Sequence, residues 1–293
     1  MKFGAYFAYW EKDWSANYIK YIKKMPKLGF DVLEIAAGNF LELTNKDLAD
    51  LKNCAKDNGI MLTSCIGLPA KYNTSSENET VRQRGVTFLK KIIDVMDKID
   101  SRILGGVIYA YWPADYSKPF DKKAERKQSI KSMREVADYA CGSDIMLCLE
   151  IVNRYEHYLI NDAAEAVALV KDINRDNVKI TLDSFHMNIE EDSFYDAIKN
   201  TGNLLGHFHV GEGNRKAPGK GTLPWEEMGK ALNDISYTGC VVMEPFVKMG
   251  SQIGSDIKVW RDLSDKASPA KMDEDIAQSL KFLKAAFGNT GLK

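Results

Sequence analysis

The sequence predicts a closed (β/α)8 TIM barrel of the α/β class, and three observations lead there. A helical pattern, a glycine and a short apolar run recur as a unit: Lys27-Leu28-Gly29 before 30–35, Asp57-Asn58-Gly59 before 60–63, Ala140-Cys141-Gly142 before 144–149, and Tyr237-Thr238-Gly239 before 240–243. Each glycine fits the left-handed position that ends a helix, and each run fits a strand buried on both faces. Strands and helices alternate eight times, which demands a parallel sheet and, at this number, a closed one. The first turn, Tyr6-Phe7-Ala8-Tyr9-Trp10-Glu11, has no glycine after Gly4, whereas an open doubly wound sheet usually carries a Gly-rich turn there.

In chain order the strands are expected at about 3–9, 30–35, 60–63, 103–109, 144–149, 178–183, 204–210 and 240–243. Helical period is carried by 15–28, 45–58, 77–99, 124–141, 161–173, 190–200, 224–236 and 271–287. Ser76 with Glu79, and Asp162 with Glu165, have capping-box spacing. Two long excursions, 211–221 after the seventh strand and 246–270 after the eighth, follow strand ends on the face where barrels keep their active sites, and read as substrate loops or subunit contacts. No linker rich in Gly, Pro or Ser interrupts the chain, so residues 1–293 are expected to form one barrel domain.

Hydrophobic residues make up 45% and charged residues 28%, as in a globular protein with a full core. The net charge of −1 offers no electrostatic footprint for nucleic acid or an anionic membrane. The five cysteines are an odd count without C-x-x-C spacing, and Cys148 and Cys240 sit in apolar runs as small core residues. No signal-peptide pattern and no run of membrane-spanning length is present, so a reduced, cytoplasmic protein is expected, with no membrane partner.

The chemistry begins in the stretch 147–156. Its apolar run ends at Glu150, and Arg154 and Glu156 follow at once. A charge at such a place needs compensation by an arginine or by a metal. Asp183 ends the sixth strand, His209 lies near the end of the seventh and Glu244 ends the eighth, each about one βα unit from the last. Four potential ligands from consecutive strands therefore converge at one rim, where three carboxylates repel one another unless a cation lies between them. An oxygen-rich set with one imidazole suits Mn²⁺ or Mg²⁺ and tolerates Co²⁺; zinc sites lean on His and Cys instead.

His186, three residues past Asp183, is either a further ligand or a hydrogen-bond donor to substrate. His207 shares the face of His209 one layer deeper, as a structural or supporting group, and His157 belongs at the surface or rim. Tyr6, Trp10, Trp112 and Phe246 fall at the same rim, where aromatic faces hold sugar C–H surfaces or simply pack. Gly219-Lys220 lacks the remaining residues of a phosphate loop, and no Gly-x-Ser-x-Gly nucleophile elbow occurs.

Taken together, Tyr9-Trp10-Glu11, the run Glu150-Ile151-Val152-Asn153-Arg154-Tyr155-Glu156, the run 182–191 that opens Leu182-Asp183-Ser184-Phe185-His186, the run 207–215 from His207 to Arg215, and Val242-Met243-Glu244-Pro245-Phe246 resemble the D-tagatose 3-epimerase family, most strongly its branch acting on D-psicose (D-allulose). The resemblance covers essentially the whole chain. It implies a xylose-isomerase-like barrel and a Mn²⁺- or Co²⁺-dependent C3 epimerase of free ketohexoses, D-fructose and D-psicose with D-tagatose or D-sorbose as further substrates, assembled as a homodimer or homotetramer. It implies Glu150, Asp183, His209 and Glu244 as metal ligands and Glu156, His186 and Arg215 as substrate contacts, with Tyr6 and Trp112 shaping the pocket. Gly213, where many members have Cys, and Cys65 and Leu68 after the third strand depart from the pattern; the change at Cys65 bears on substrate ranking rather than chemistry.

Chemically, a carboxylate cannot unaided remove a proton α to a ketone. A divalent metal holding O2 and O3 stabilises the cis-enediolate, and inversion needs proton removal on one face and delivery on the other, a task for the pair Glu150 and Glu244. Three other readings stay open on the same barrel: an aldose–ketose sugar isomerase, a metal-dependent phosphodiesterase acting on abasic DNA, and a non-catalytic sugar-binding barrel. The four histidines and the near-neutral charge argue against the second.

Overall fold

Eight short strands buried on both faces leave no exposed edge only if the last pairs with the first. That closure is what the computed structural model, which describes residues 1–288, shows. The strands are β1 (Lys2–Tyr6), β2 (Val32–Ala36), β3 (Met61–Cys65), β4 (Ile103–Gly105), β5 (Met146–Glu150), β6 (Val178–Asp183), β7 (Leu205–Val210) and β8 (Cys240–Met243). Each pairs in parallel with its sequence neighbour, and β8 pairs with β1. The helices are α1 (Tyr18–Ile22), α2 (Met25–Leu28), α3 (Asn45–Asp57), α4 (Glu79–Ile99), α5 (Lys122–Cys141), α6 (Ala163–Ile173), α7 (Ser184–Glu190), α8 (Phe194–Thr201), α9 (Trp225–Asp234), α10 (Ser251–Asp256) and α11 (Pro269–Gly288). One continuous cluster of buried apolar side chains fills the space within and around the barrel. Among the described residues no helix is long and apolar enough to cross a membrane.

The departures from the expected elements have local causes. The first helix is broken into α1 and α2 where Pro26 opens the second piece, because proline cannot donate into a continuing helix. The segment expected as one helix over 190–200 begins earlier as α7, and α8 restarts at a cap in which Ser193 accepts from the Asp196 N–H. Ser76 does not cap α4; Asn78 does, accepting from the Thr80 and Val81 N–H groups, while Glu79 turns to Arg82. Asp162 caps α6 as expected, but Glu165 reaches back to the Asn161 N–H, and the full reciprocal box belongs to Thr44 and Asp47. Gly29 and Gly59 take the left-handed conformation expected of them, but Gly142 stays right-handed (φ −65°) and Gly239 is not left-handed; Asp144 (φ 53°) and Ser236 (φ 55°) make those turns instead.

Two irregularities set the active end. In β6–β7 the register shifts between Ile180↔Leu205 and Thr181↔His207, so Gly206 is passed over and Asp183 comes level with His209. β4 is three residues long instead of seven because Gly106 bends the chain at φ 103°. The Gly106 carbonyl then accepts the Glu150 N–H at 3.1 Å, tying the end of β5 to that bend. A Cβ on Gly106 would lie 2.2 Å from the Ile66 carbonyl oxygen. Gly106→Ala combines this overlap with a disfavoured φ, and is expected to lower the urea-unfolding free energy by about 3 kcal/mol or more. A loss under about 1 kcal/mol would show that the bend relaxes freely.

Candidate active site

Because successive strand residues alternate between core and helix layer, the last residues of β5 and β6, the fifth of β7 and the first beyond β8 face inward at one end of the barrel. Glu150, Asp183, His209 and Glu244 meet there, all buried, with one potential ligand atom of each within 4.8 Å of the others. His209 Nδ1 lies 3.1 Å from Glu150 Oε1 and 3.8 Å from Glu244 Oε1. Glu150 and Glu244 line a cavity of about 560 Å³; Asp183 and His209 are not part of its wall and lie behind it.

The remaining expected residues converge on the same cavity, whose lining includes Tyr6, Trp112, Glu156, His186 and Arg215. Glu156 is clamped: Trp112 Nε1 donates to it at 2.8 Å and Arg215 Nη2 at 3.1 Å. Arg215 also lies 3.4 Å from Asp183 Oδ2 and 3.6 Å from Glu244 Oε2, and its guanidinium stacks 3.5 Å from the Phe185 ring centroid. His186 Nδ1 accepts the Asn153 backbone N–H at 3.1 Å, which leaves Nε2 as the protonated nitrogen, 3.6 Å from Asp183 Oδ2. The segment after β8 contributes Phe246, and Gln252 and Asp256 from α10, to the wall.

Several expectations are corrected. Trp10 does not reach the cavity, because residues 7–9 form a 3-10 turn that swings it outward; its Nε1 donates to Asp273 and its ring stacks on Tyr21. Trp14 takes the place at the cavity wall, against Trp112 and Phe246. Arg154 points away from the rim and pairs with Glu190 at 2.7 Å, so of the three charged groups at this strand end only Glu150 and Glu156 reach the cavity. His157 is fully buried, not at the rim. Cys65 Sγ lies 3.9 Å from Glu150 Oε2. Leu68 accepts the Trp112 N–H on its carbonyl at 2.7 Å, and a Cβ at Gly213 would come 2.9 Å from Asn188 Nδ2. Cys148 and Cys240 are core residues as expected, and all five cysteines are free.

Sequence reading missed Glu34 and Asn153. Glu34 is wholly buried in β2, 2.7 Å from His209 Nε2 and 2.8 Å from His207 Nε2, and it accepts from Thr63 Oγ1 at 2.8 Å. The signal was present: like Glu150, Glu34 is a carboxylate inside an apolar run. His207 occupies the deeper layer expected of it.

Electrostatics push neighbouring groups apart. Burial and the nearby Glu150 and Asp183 charges hold the Glu244 carboxyl well above the usual carboxylate range, against the pull of His209 and Arg215. Glu150 is equally buried, yet the adjacent His209 outweighs that and lowers it. His209 is raised well above an ordinary imidazole: burial opposes its charge, and Glu34, Glu244 and Glu150 prevail. Three crowded carboxylates, with an imidazole whose Nδ1 faces two of them, are a donor set that fits a hard divalent cation.

Fold and site define a xylose isomerase-like TIM barrel, and the family of that description matches residues 22–286. The D-psicose 3-epimerase of Agrobacterium fabrum is 51% identical over 288 residues, covering 98% of this chain and 100% of the relative. A crystal structure of D-psicose 3-epimerase in the presence of D-fructose superimposes with a TM-score of 0.97 at 51% identity, covering 99% of this chain and 100% of that one. The D-psicose 3-epimerase of Clostridium cellulolyticum H10, crystallised with D-tagatose, gives a TM-score of 0.97 at 48% identity, covering 98% and 99%. The chain belongs to the D-psicose 3-epimerase family of ketose 3-epimerases.

Buried His157 carries a testable consequence. Burial first, and then Lys122, push its imidazole from the ordinary 6.5 down to about 4. Below pH 6.5 the unfolded chain therefore takes up a proton that the folded chain refuses. Stability is full above that pH and falls as the pH drops toward 4. His157→Gln is expected to remove about 2 kcal/mol of the loss in urea-unfolding free energy between pH 7 and pH 4.5. Parallel profiles for the two proteins would contradict it.

Proposed function

We propose that this protein epimerises free ketohexoses at C3, interconverting D-fructose and D-psicose and, on the same site, D-tagatose and D-sorbose. The observation that carries the reading is the pair Glu150 and Glu244. They come from strands three apart around the barrel and face one cavity, in a chain half identical to proteins that bear this activity in their names. A divalent cation, Mn²⁺ or Mg²⁺ by the oxygen-rich donor set with Co²⁺ tolerated, would be held by Glu150, Asp183, His209 and Glu244 and would supply the positive charge that acidifies the C3 proton.

The residues do the rest. One of the two glutamates takes the proton from C3 and the other returns a proton to the opposite face of the planar cis-enediolate carbon; which acts first depends on the direction of reaction. His186, with Nδ1 fixed by Asn153, presents its Nε2–H to a sugar oxygen. Glu156 and Arg215, already clamped by Trp112 and Asp183, orient the C1–C3 end. Tyr6, Trp112 and Phe246 offer apolar surface to the far carbons, which supports acceptance of several ketohexoses.

Two experiments test this. In D₂O the enzyme should place deuterium at C3 of recovered D-fructose, read by NMR; label at C1 instead would mean an aldose–ketose isomerase. Glu150→Gln and Glu244→Gln should each lower kcat by at least about 10²–10⁴-fold, the usual worth of a general acid or base, with circular dichroism unchanged. Substantial turnover in either variant would rule out the two-base scheme.

A further inference from the structure

The carboxylate of Glu34 lies on β2, across the barrel from β7, with no solvent exposure. Both its oxygens are engaged. Oε1 faces His209 Nε2 at 2.7 Å; Oε2 faces His207 Nε2 at 2.8 Å and accepts from Thr63 Oγ1 at 2.8 Å. With Oε2 accepting from Thr63, Oε1 is the acceptor in the short contact to Nε2, so the nitrogen of His209 that faces Glu34 carries the proton. The other ring nitrogen, Nδ1, is the one directed at Glu150 and Glu244.

We infer that Glu34 is a positioning residue: it fixes the ring orientation and tautomer of His209 so that Nδ1 is presented as a ligand to the cation shared with Glu150, Asp183 and Glu244. This rests on the cation-site reading above. Glu34 also comes within reach of Cys65 and Glu244 as a group that could itself hold an ion. His207 and Thr63 oppose that arrangement by occupying Oε2 while His209 occupies Oε1. The carboxylate therefore supports a ligand instead of acting as one, the arrangement in which a ligating histidine gives its second N–H to a carboxylate.

The test uses the whole protein and two readouts besides activity. With only four histidines in the chain, ¹⁵N-histidine labelling of the protein loaded with diamagnetic Zn²⁺ resolves each ring. The ring that responds to the cation should be protonated at Nε2 and ligated at Nδ1; protonation at Nδ1 would overturn the inference and needs no variant to detect. Calorimetric titration with Mn²⁺ should show Glu34→Gln binding about 10–100-fold more weakly than the unsubstituted protein, with Glu34→Asp recovering part of the loss. Thr63→Val, which removes a partner of the same carboxylate without touching His209, should stay within about threefold, because a residual Glu34–His209 contact preserves the ligand. Equal Mn²⁺ affinity in Glu34→Gln would overturn the positioning role alone. Absence of Mn²⁺ binding by the unsubstituted protein would overturn both it and the cation site.

Discussion

Glu150, Asp183 and Glu244 crowd within 4.8 Å of one another out of solvent, with Glu34 buried one layer beneath, and at low dielectric such charges repel more strongly than any one hydrogen bond offsets. Much of the surrounding structure answers that repulsion. His209 sits between Glu34 below and Glu150 and Glu244 above, so one imidazole touches three of the four carboxylates. Arg215 reaches Asp183, Glu244 and Glu156 from the opposite side. Burial and the neighbouring carboxylate charges raise the Glu244 carboxyl, while the adjacent His209 lowers Glu150. Such a set is poised to exchange a proton for a cation.

Arg215 can serve three carboxylates only because its loop is stiff. Its backbone takes a left-handed φ of 63°, its N–H donates to the Glu212 carbonyl, and its own carbonyl accepts the Phe246 N–H. Glu212 is another wholly buried carboxylate, accepting from the Gly219 N–H at 2.7 Å, the Trp225 indole at 2.9 Å and the Leu223 N–H at 3.3 Å. It folds the excursion after β7 back onto the start of α9, so a long connection behaves as a fixed bracket for one guanidinium.

The sequence made the barrel legible because its signals are local: a helix end, a turn and an apolar run repeat within about ten residues of one another. It made Glu150, Asp183, His209 and Glu244 legible because strand ends in a barrel share a rim, so their spacing is enough. Glu34 was hidden because its meaning lies in partners on β7, far along the chain, and a carboxylate within a strand looks the same whether it meets an arginine or an imidazole. Trp10 was misplaced for the opposite reason: a three-residue 3-10 turn, invisible to periodicity, rotates it toward α11 and brings Trp14 to the wall. His157 was misjudged, and Arg154 had no legible role, because a loop's path fixes which way its side chains point, and no pattern encodes that path.

The stretch 150–156 has partners on three different elements. Glu150 faces the cavity, Asn153 holds His186 on α7, Arg154 pairs with Glu190 at the end of that helix, and Glu156 receives Trp112 and Arg215 from two separate loops. Tyr155, 74% exposed, projects outward between them. A segment so tied has a fixed length. Adding or removing one residue would shift every later contact off its partner at once, whereas a change of side chain at 155 would disturb none of them. Among natural or designed variants of this scaffold, diversity here should appear as substitution at the exposed position and not as insertion.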